Sequence, residues 1–388
     1  MMKGERKMKQ SLVDNTIEHD LWVDDVWRRI VTKIERTSKR IGISTPHASV
    51  DGVYDQMRPS WWTAGFWPGI LWQIVAEEDA NELKDLAIKC EEGLDESLYN
   101  LSVHHDAGFI WLLTAVAHYK LTGNEQSKHR GLMAASQLAS RFNIKGNYIR
   151  AWHDGLGFNR SGWSIIDTMM NISLLYWASD ITNDPRFKHM AMAHADTVLK
   201  EFVREDGSSY HIVCFDAETG RRVGERPGQG YSTESAWTRG SAWTIYGLTN
   251  CYLHSKEARY LEGAKKAANF FLENLPEDSV PHWDFFVEKN GETPRDSSAG
   301  AIAACGLIEL AKVLPDIDRK VYFDAAVRIL QSLDKNYGAW NDPNEEGLIK
   351  KGTSNVNDDT HVNRPLIYGD YFFVEGIAKL KGSKLMVW

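Results

Sequence analysis

Two kinds of helical segment alternate along the whole 388-residue chain, and that alternation limits what it can build. One kind is apolar on a single face. Tyr322, Ala325, Ala326, Ile329, Leu330 and Leu333 recur at helical spacing. Phe187, Met190, Ala191, His194, Val198 and Phe202 do the same after Asp184-Pro185, which reads as an N-cap and N1 pair. Similar segments are expected near 22–38, 80–98, 124–142 and 257–275. The other kind is apolar on nearly every side and rich in small residues, as in 165–177 and 299–310. Its further members are expected near 62–76, 105–120, 237–254 and 369–380. A helix apolar all round must be covered on both sides. Six outer and six inner helices in alternation predict six hairpins closed into a ring, an all-α (α/α)6 toroid. The repeat length is too uneven for an open array of fixed period. No linker rich in Pro, Gly or Ser divides the chain. One domain over 1–388 is expected, with 1–20 a flexible or loosely docked segment.

Composition removes several classes of function. Acidic residues outnumber basic ones, 53 to 45, for a net charge of −8, so neither nucleic acid nor an anionic membrane surface is an expected partner. No apolar run approaches the roughly 18 residues of a membrane span, and the first twenty residues lack a secretory h-region. The cysteines at 90, 214, 251 and 305 show no Cys-x-x-Cys spacing and read as free thiols of a reducing compartment, the cytoplasm. A monomer or a homodimer is expected. Trp 15, Tyr 14 and Phe 14 are many aromatics, serving core packing or flat platforms for sugar rings.

The inner segments share an opening of polar or aromatic residues followed by small ones, seen in Trp62-Thr63-Ala64-Gly65, His105-Asp106-Ala107-Gly108 and Trp237-Thr238-Arg239-Gly240. In a ring these openings converge at one end. Asp106, Asp167, Arg239, Asp296 and Asp370 all sit there, and the plain reading of each Asp is a cap or first-turn residue. Asp167 resists that reading, because Ile165 and Ile166 precede it and Met169 and Met170 follow. Such surroundings should raise its pKa and make it a general acid. Arg239 at a helix start opposes the dipole, which weakens a structural motive and favours a grip on a ligand carboxylate. His104 and His105 lack the partners of a zinc site, so no metal is expected. No nucleophile elbow or Walker loop is present, and Gly155-Leu156-Gly157 lacks a dinucleotide-binding context, so no cofactor is expected. Of the tryptophans near the openings (61, 62, 67, 152, 163, 237 and 243), Trp152 stands in a polar loop and is the best stacking platform. The glycine-rich stretch 204–231, with a short β-type run from Tyr210 to Phe215, reads as a long loop or hairpin over a site.

The run from Val103 to Phe109, the segment Ile166-Asp167-Thr168-Met169-Met170-Asn171, the block Trp237 to Trp243 and the closing Tyr368-Gly369-Asp370-Tyr371-Phe372 together resemble the unsaturated glucuronyl hydrolases. The resemblance spans nearly the whole chain. It implies an (α/α)6 enzyme acting on oligosaccharides whose non-reducing end is a 4,5-unsaturated uronic acid, and hydrating the C4–C5 enol ether. It also implies Asp167 as acid and then base, and Asp106 as a second carboxylate that raises the Asp167 pKa. His211, Gln229, Arg239 and Trp243 are implied contacts of the uronate, and Trp152, Trp62 and Tyr368 are implied aromatic lining. Lys350 and Lys351 lie where the family varies its leaving-sugar contacts; they meet a sulfate or form a solvated loop. Rival readings are an unsaturated rhamnogalacturonyl hydrolase of the same fold, a sugar 2-epimerase using histidines, and a non-catalytic oligosaccharide-binding toroid.

Overall fold

A computed structural model of the chain describes residues 2–154, 157 and 159–388, with side chains described from residue 19 onward except 101 and 102. The outer helices are Met2–Ile41, Asn81–Glu92, Glu125–Ala139, Pro185–Glu201, Ala258–Glu273 and Asp316–Ser332. The first runs back well beyond the expected 22–38. Whether 1–20 docks loosely falls almost wholly on side chains outside the described ones. The inner helices are Phe66–Val75, a run of three pieces (Ala107–Trp111, the π-turn Leu112–Val116, Ala117–Thr122), the pair Thr168–Asn171 and Ser173–Thr182, then Thr238–Ser255, Ser297–Lys312 and Ile367–Lys381. Neighbouring inner helices touch in sequence order, and Ile367–Lys381 packs back on Phe66–Val75, which closes the ring. The expected (α/α)6 toroid is the observed fold.

Burial follows the two sequence patterns. In Ser297–Lys312 every residue except Lys312 is buried, whereas Ala258–Glu273 buries one stripe, including Tyr260, Ala264, Ala267, Ala268 and Phe271. Close packing of the inner ring needs small residues. A Cβ at Gly108 would stand 2.5 Å from the Asn171 backbone. The Asp184 carboxylate accepts from Arg186 N at 3.0 Å with Pro185 behind it, so that cap is as expected. All four cysteines are free and buried. Among the described residues no helix is long and apolar enough to cross a membrane.

Among the described residues, seven short strands decorate the end where the inner helices begin. β1 (Ser49–Val50) pairs with β2 (Val53–Tyr54), and β3 (Phe142–Asn143) with β4 (Tyr148–Ile149). β5 (Trp163–Ile165), β6 (Ile212–Phe215) and β7 (Arg222–Arg226) form an antiparallel sheet in the order β5-β6-β7. The hairpin expected in 204–231 is therefore present, and it gains a third strand. That strand takes Ile165 out of the inner helix, which begins only at Thr168. Three residues are too few for a period-two pattern to compete with the apolar run behind them.

Candidate active site

Asp106 and Asp167 each occupy the N-cap position of a short inner-helix segment, yet neither side chain caps its helix. The plain structural use of both residues is thus unmet. Their carboxylates face one cavity of about 420 Å³, lined also by Trp62, His105, Trp152, Arg160, Trp163, Ile165, His211, Ile212, Gly228, Gln229, Arg239, Asn355 and Asp358. Asp296 and Asp370 are different. Asp296 pairs with Arg239, and Asp370 accepts from Tyr54 Oη, Leu348 N and Ile349 N at 2.6, 2.7 and 3.0 Å. Those two anchor the loops around the ring.

Asn171 holds the two acidic segments in register. Its Oδ1 accepts from Phe109 N at 2.8 Å, in the first turn after Asp106, and its Nδ2 donates to the Asp167 carbonyl at 3.1 Å. His105 stands behind both acids, with Nε2 3.5 Å from Asp106 Oδ1 and Nδ1 3.2 Å from Thr168 Oγ1. Burial drives its pKa down to about 3, so the ring is neutral. His211 faces Asp167 with Nε2 3.6 Å from Oδ2. Its Nδ1 accepts from Gln229 N at 2.8 Å and lies 3.2 Å from the Pro227 carbonyl oxygen. Gly228, at φ +57°, permits this approach, because a Cβ there would collide with the His211 ring.

The pKa values of the two carboxylates are displaced in opposite directions. Burial raises the Asp106 pKa well above the ordinary carboxylate value, and the nearby Asp167 charge adds to it. Burial also acts to raise Asp167, but His211, then His105 and Arg239, outweigh it and hold the group low. The expectation that apolar flanks and Asp106 would raise Asp167 is therefore corrected. The burial that the flanks announce is present, but it is outweighed by groups distant in the chain, and the two acids are displaced in opposite directions.

Arg239 also departs from expectation. It is 1 % exposed, and its terminal nitrogens donate to Asp296 Oδ2 at 2.5 Å, Thr353 O at 2.6 Å, Ser354 O at 2.7 Å and Gln229 Oε1 at 3.3 Å. The dipole argument against a structural role fails because the counter-ion comes from the next inner helix. Trp243 and Tyr368 are fully buried and absent from the lining. Trp243 packs on Phe109 and Phe372 at 5.1 and 5.4 Å, and Tyr368 lies 4.8 Å from Trp62. They back the cavity wall. Lys350 and Lys351 are exposed and also absent from the lining. Sequence reasoning assigned no site role to His105, Arg160, Trp163, Asn355 or Asp358. Among the described residues no cluster of His, Cys, Asp and Glu is placed to hold a metal.

No protein-family model matches the chain. It is 36% identical over 360 residues to the unsaturated glucuronyl hydrolase of Bacillus sp. strain GL1, covering 91% of this chain and 95% of that one. It is 36% identical over 336 residues to the unsaturated chondroitin disaccharide hydrolase of Streptococcus pyogenes serotype M1, covering 86% and 84%. An unsaturated glucuronyl hydrolase variant from Streptococcus agalactiae, complexed with dGlcA-GalNAc6S, superposes with a TM-score of 0.83 at 29% identity, covering 95% and 94%. With this identity extending over nearly the full length of both chains, the protein belongs to the unsaturated glucuronyl hydrolase family.

Proposed function

We propose that this single-domain toroid removes the 4,5-unsaturated uronic acid from the non-reducing end of lyase-generated oligosaccharides, including those of glycosaminoglycan type. The observation that carries the reading is the uncapped pair Asp106 and Asp167, facing one cavity with opposite pKa displacements. Protonating C4 of an enol ether needs a neutral acid, and the cation-like charge that grows at C5 needs a nearby base to deliver water. Asp167 serves as that acid and then as that base. Asp106, displaced upward, is the reservoir of that proton in this reading. The substrate carboxylate, entering beside Arg239 and His211, adds negative charge next to Asp167 and offsets the fields that hold it ionised. The Asp167 pKa rises and the proton passes to it. Proton transfer to C4 and addition of water at C5 give a hemiketal, whose opening expels the remaining sugar. Gln229, Trp62 and Trp152 bound the space for the uronate, and Tyr368 and Trp243 support it from behind.

The test is an unsaturated chondroitin disaccharide incubated in heavy-oxygen water. The alkene absorbance should disappear and the label should enter at C5. Label at C1 would mean ordinary glycosidic attack and would overturn the hydration course.

A further inference from the structure

One wall of the cavity carries a positive charge, that of Arg160, with which no described carboxylate forms an ion pair. Strand register sets Trp163 beside Cys214 and Gly224, and Ile165 beside Ile212 and Arg226, so these alternate residues share one face of the sheet. Trp163, Ile165 and Ile212 line the cavity, which makes that face the inner one. Arg160 lines it too, whereas Arg226, on the same face of the sheet, is exposed and lies outside the lining. The Arg160 guanidinium carbon lies 5.6 Å from the Trp163 ring centroid and that of Arg226 4.5 Å. Among the described residues neither forms an ion pair with a carboxylate, and Arg160 Nε is shielded from solvent without an acceptor. Another wall has the reverse character: Asn355 and Asp358 line the cavity, joined by a 2.6 Å hydrogen bond.

We propose that the face formed by Arg160, Trp163 and Arg226 receives the leaving sugar and reads an anionic substituent on it, a sulfate ester or a carboxylate. This rests on the hydration reading above. The indole offers a flat surface to a sugar ring, and guanidinium forks fit oxyanions in two-point contacts. Arg239 is unsuited to the task because its terminal nitrogens are already engaged by Asp296, Thr353, Ser354 and Gln229. A substituent turned toward Asp358 meets like charge, so the asymmetry of the walls sets orientation as well as affinity.

Four substrates test this: the unsaturated uronate linked to bare N-acetylgalactosamine, to its 4-sulfated form, to its 6-sulfated form, and to a second uronic acid. The wild type is expected to favour at least one anionic leaving sugar over the bare one, and the one favoured identifies the substituent. In Arg160→Gln or Arg226→Gln, that ratio of kcat/KM should fall about fivefold or more, in keeping with loss of a charge-assisted contact. Both substrates of each ratio meet the same folded enzyme, so a general loss of stability leaves the ratio unmoved. A wild-type preference for the bare sugar, or a smaller fall in both variants, overturns the proposal. A wild type that consumes none of the four overturns the hydration reading itself.

Discussion

Where the inner helices end, Lys379 places Nζ 2.6 Å from Glu309 and 3.3 Å from Glu375. Glu375 also accepts from Trp388 Nε1 at 2.8 Å and from the Tyr246 hydroxyl. Where the inner helices begin, Asp167 Oδ2 and His211 Nε2 are buried without a hydrogen-bond partner, and His104 holds a left-handed φ of +50° just before His105 and Asp106. Both ends bury charge in one scaffold, and Arg239, Asp296 and Asp370 are satisfied at the second, but Asp167 Oδ2 and His211 Nε2 are not. Unpaired polar atoms and a strained backbone cost stability wherever they occur. Such atoms occur elsewhere too, as in Asn250 near the end of its inner helix, but Asp167 and His211 line the cavity, where a substrate can meet the unpartnered atoms.

Two substitutions should break that comparison most strongly. Asp167→Asn is expected to lower kcat by more than the roughly 10²–10⁴-fold typical of acid–base catalysis, with the helical circular dichroism unchanged. Near-full activity in the folded variant would remove Asp167 from the mechanism. Lys379→Ala should do the opposite. It leaves Glu309 and Glu375 buried without their cation, at a cost of about 3–5 kcal/mol in urea unfolding, while turnover per folded molecule persists. Equal stability of Lys379→Ala and the wild type would mean that the closed end is not the anchor.

Arg239 joins the two roles and sharpens the contrast. Its removal strands Asp296, which among the described residues keeps Ser298 Oγ at 2.5 Å and the more distant Thr353 N at 3.4 Å. Arg239→Ala should therefore lose about 3 kcal/mol of stability as well as activity. The helix-dipole argument alone gives the opposite sign for stability, level or slightly raised, so one thermal melt separates the two accounts.

The sequence made the ring legible because period and small-residue content report burial directly, as in Tyr322 to Leu333 against Ala299 to Leu310. It also brought Asp106 and Asp167 forward through their motifs. Partners far apart in the chain stayed hidden. The ion pair of Arg239 and Asp296 spans 57 residues, and nothing local to either residue announces the other. The pKa order of the acids was misread for the same reason, since His211 reaches Asp167 from a hairpin and not from its flanks. Arg160 and Trp163 stand in a polar stretch that reads as surface until β5 pairs with β6 and turns it inward.

The smallest expected effect concerns stability and pH. A carboxyl group whose folded pKa is raised binds more protons in the folded state than in the unfolded one. Between the unfolded value near 4 and the folded value, stability therefore falls as pH rises, and Asp106 is such a group. Asp167 has the opposite displacement, so its contribution is present above about pH 4 and is lost as pH falls through its lowered folded pKa. The two windows do not overlap. Asp106→Asn removes the first slope only, and should be more stable than the wild type at pH 7 by on the order of 1 kcal/mol, with the difference closing toward pH 4. The same variant should be catalytically impaired, because an amide cannot hold the proton that Asp167 needs. Paired unfolding curves at pH 4, 5.5 and 7 decide the matter. A variant that is equally destabilised at all three would show that Asp106 is a structural carboxylate.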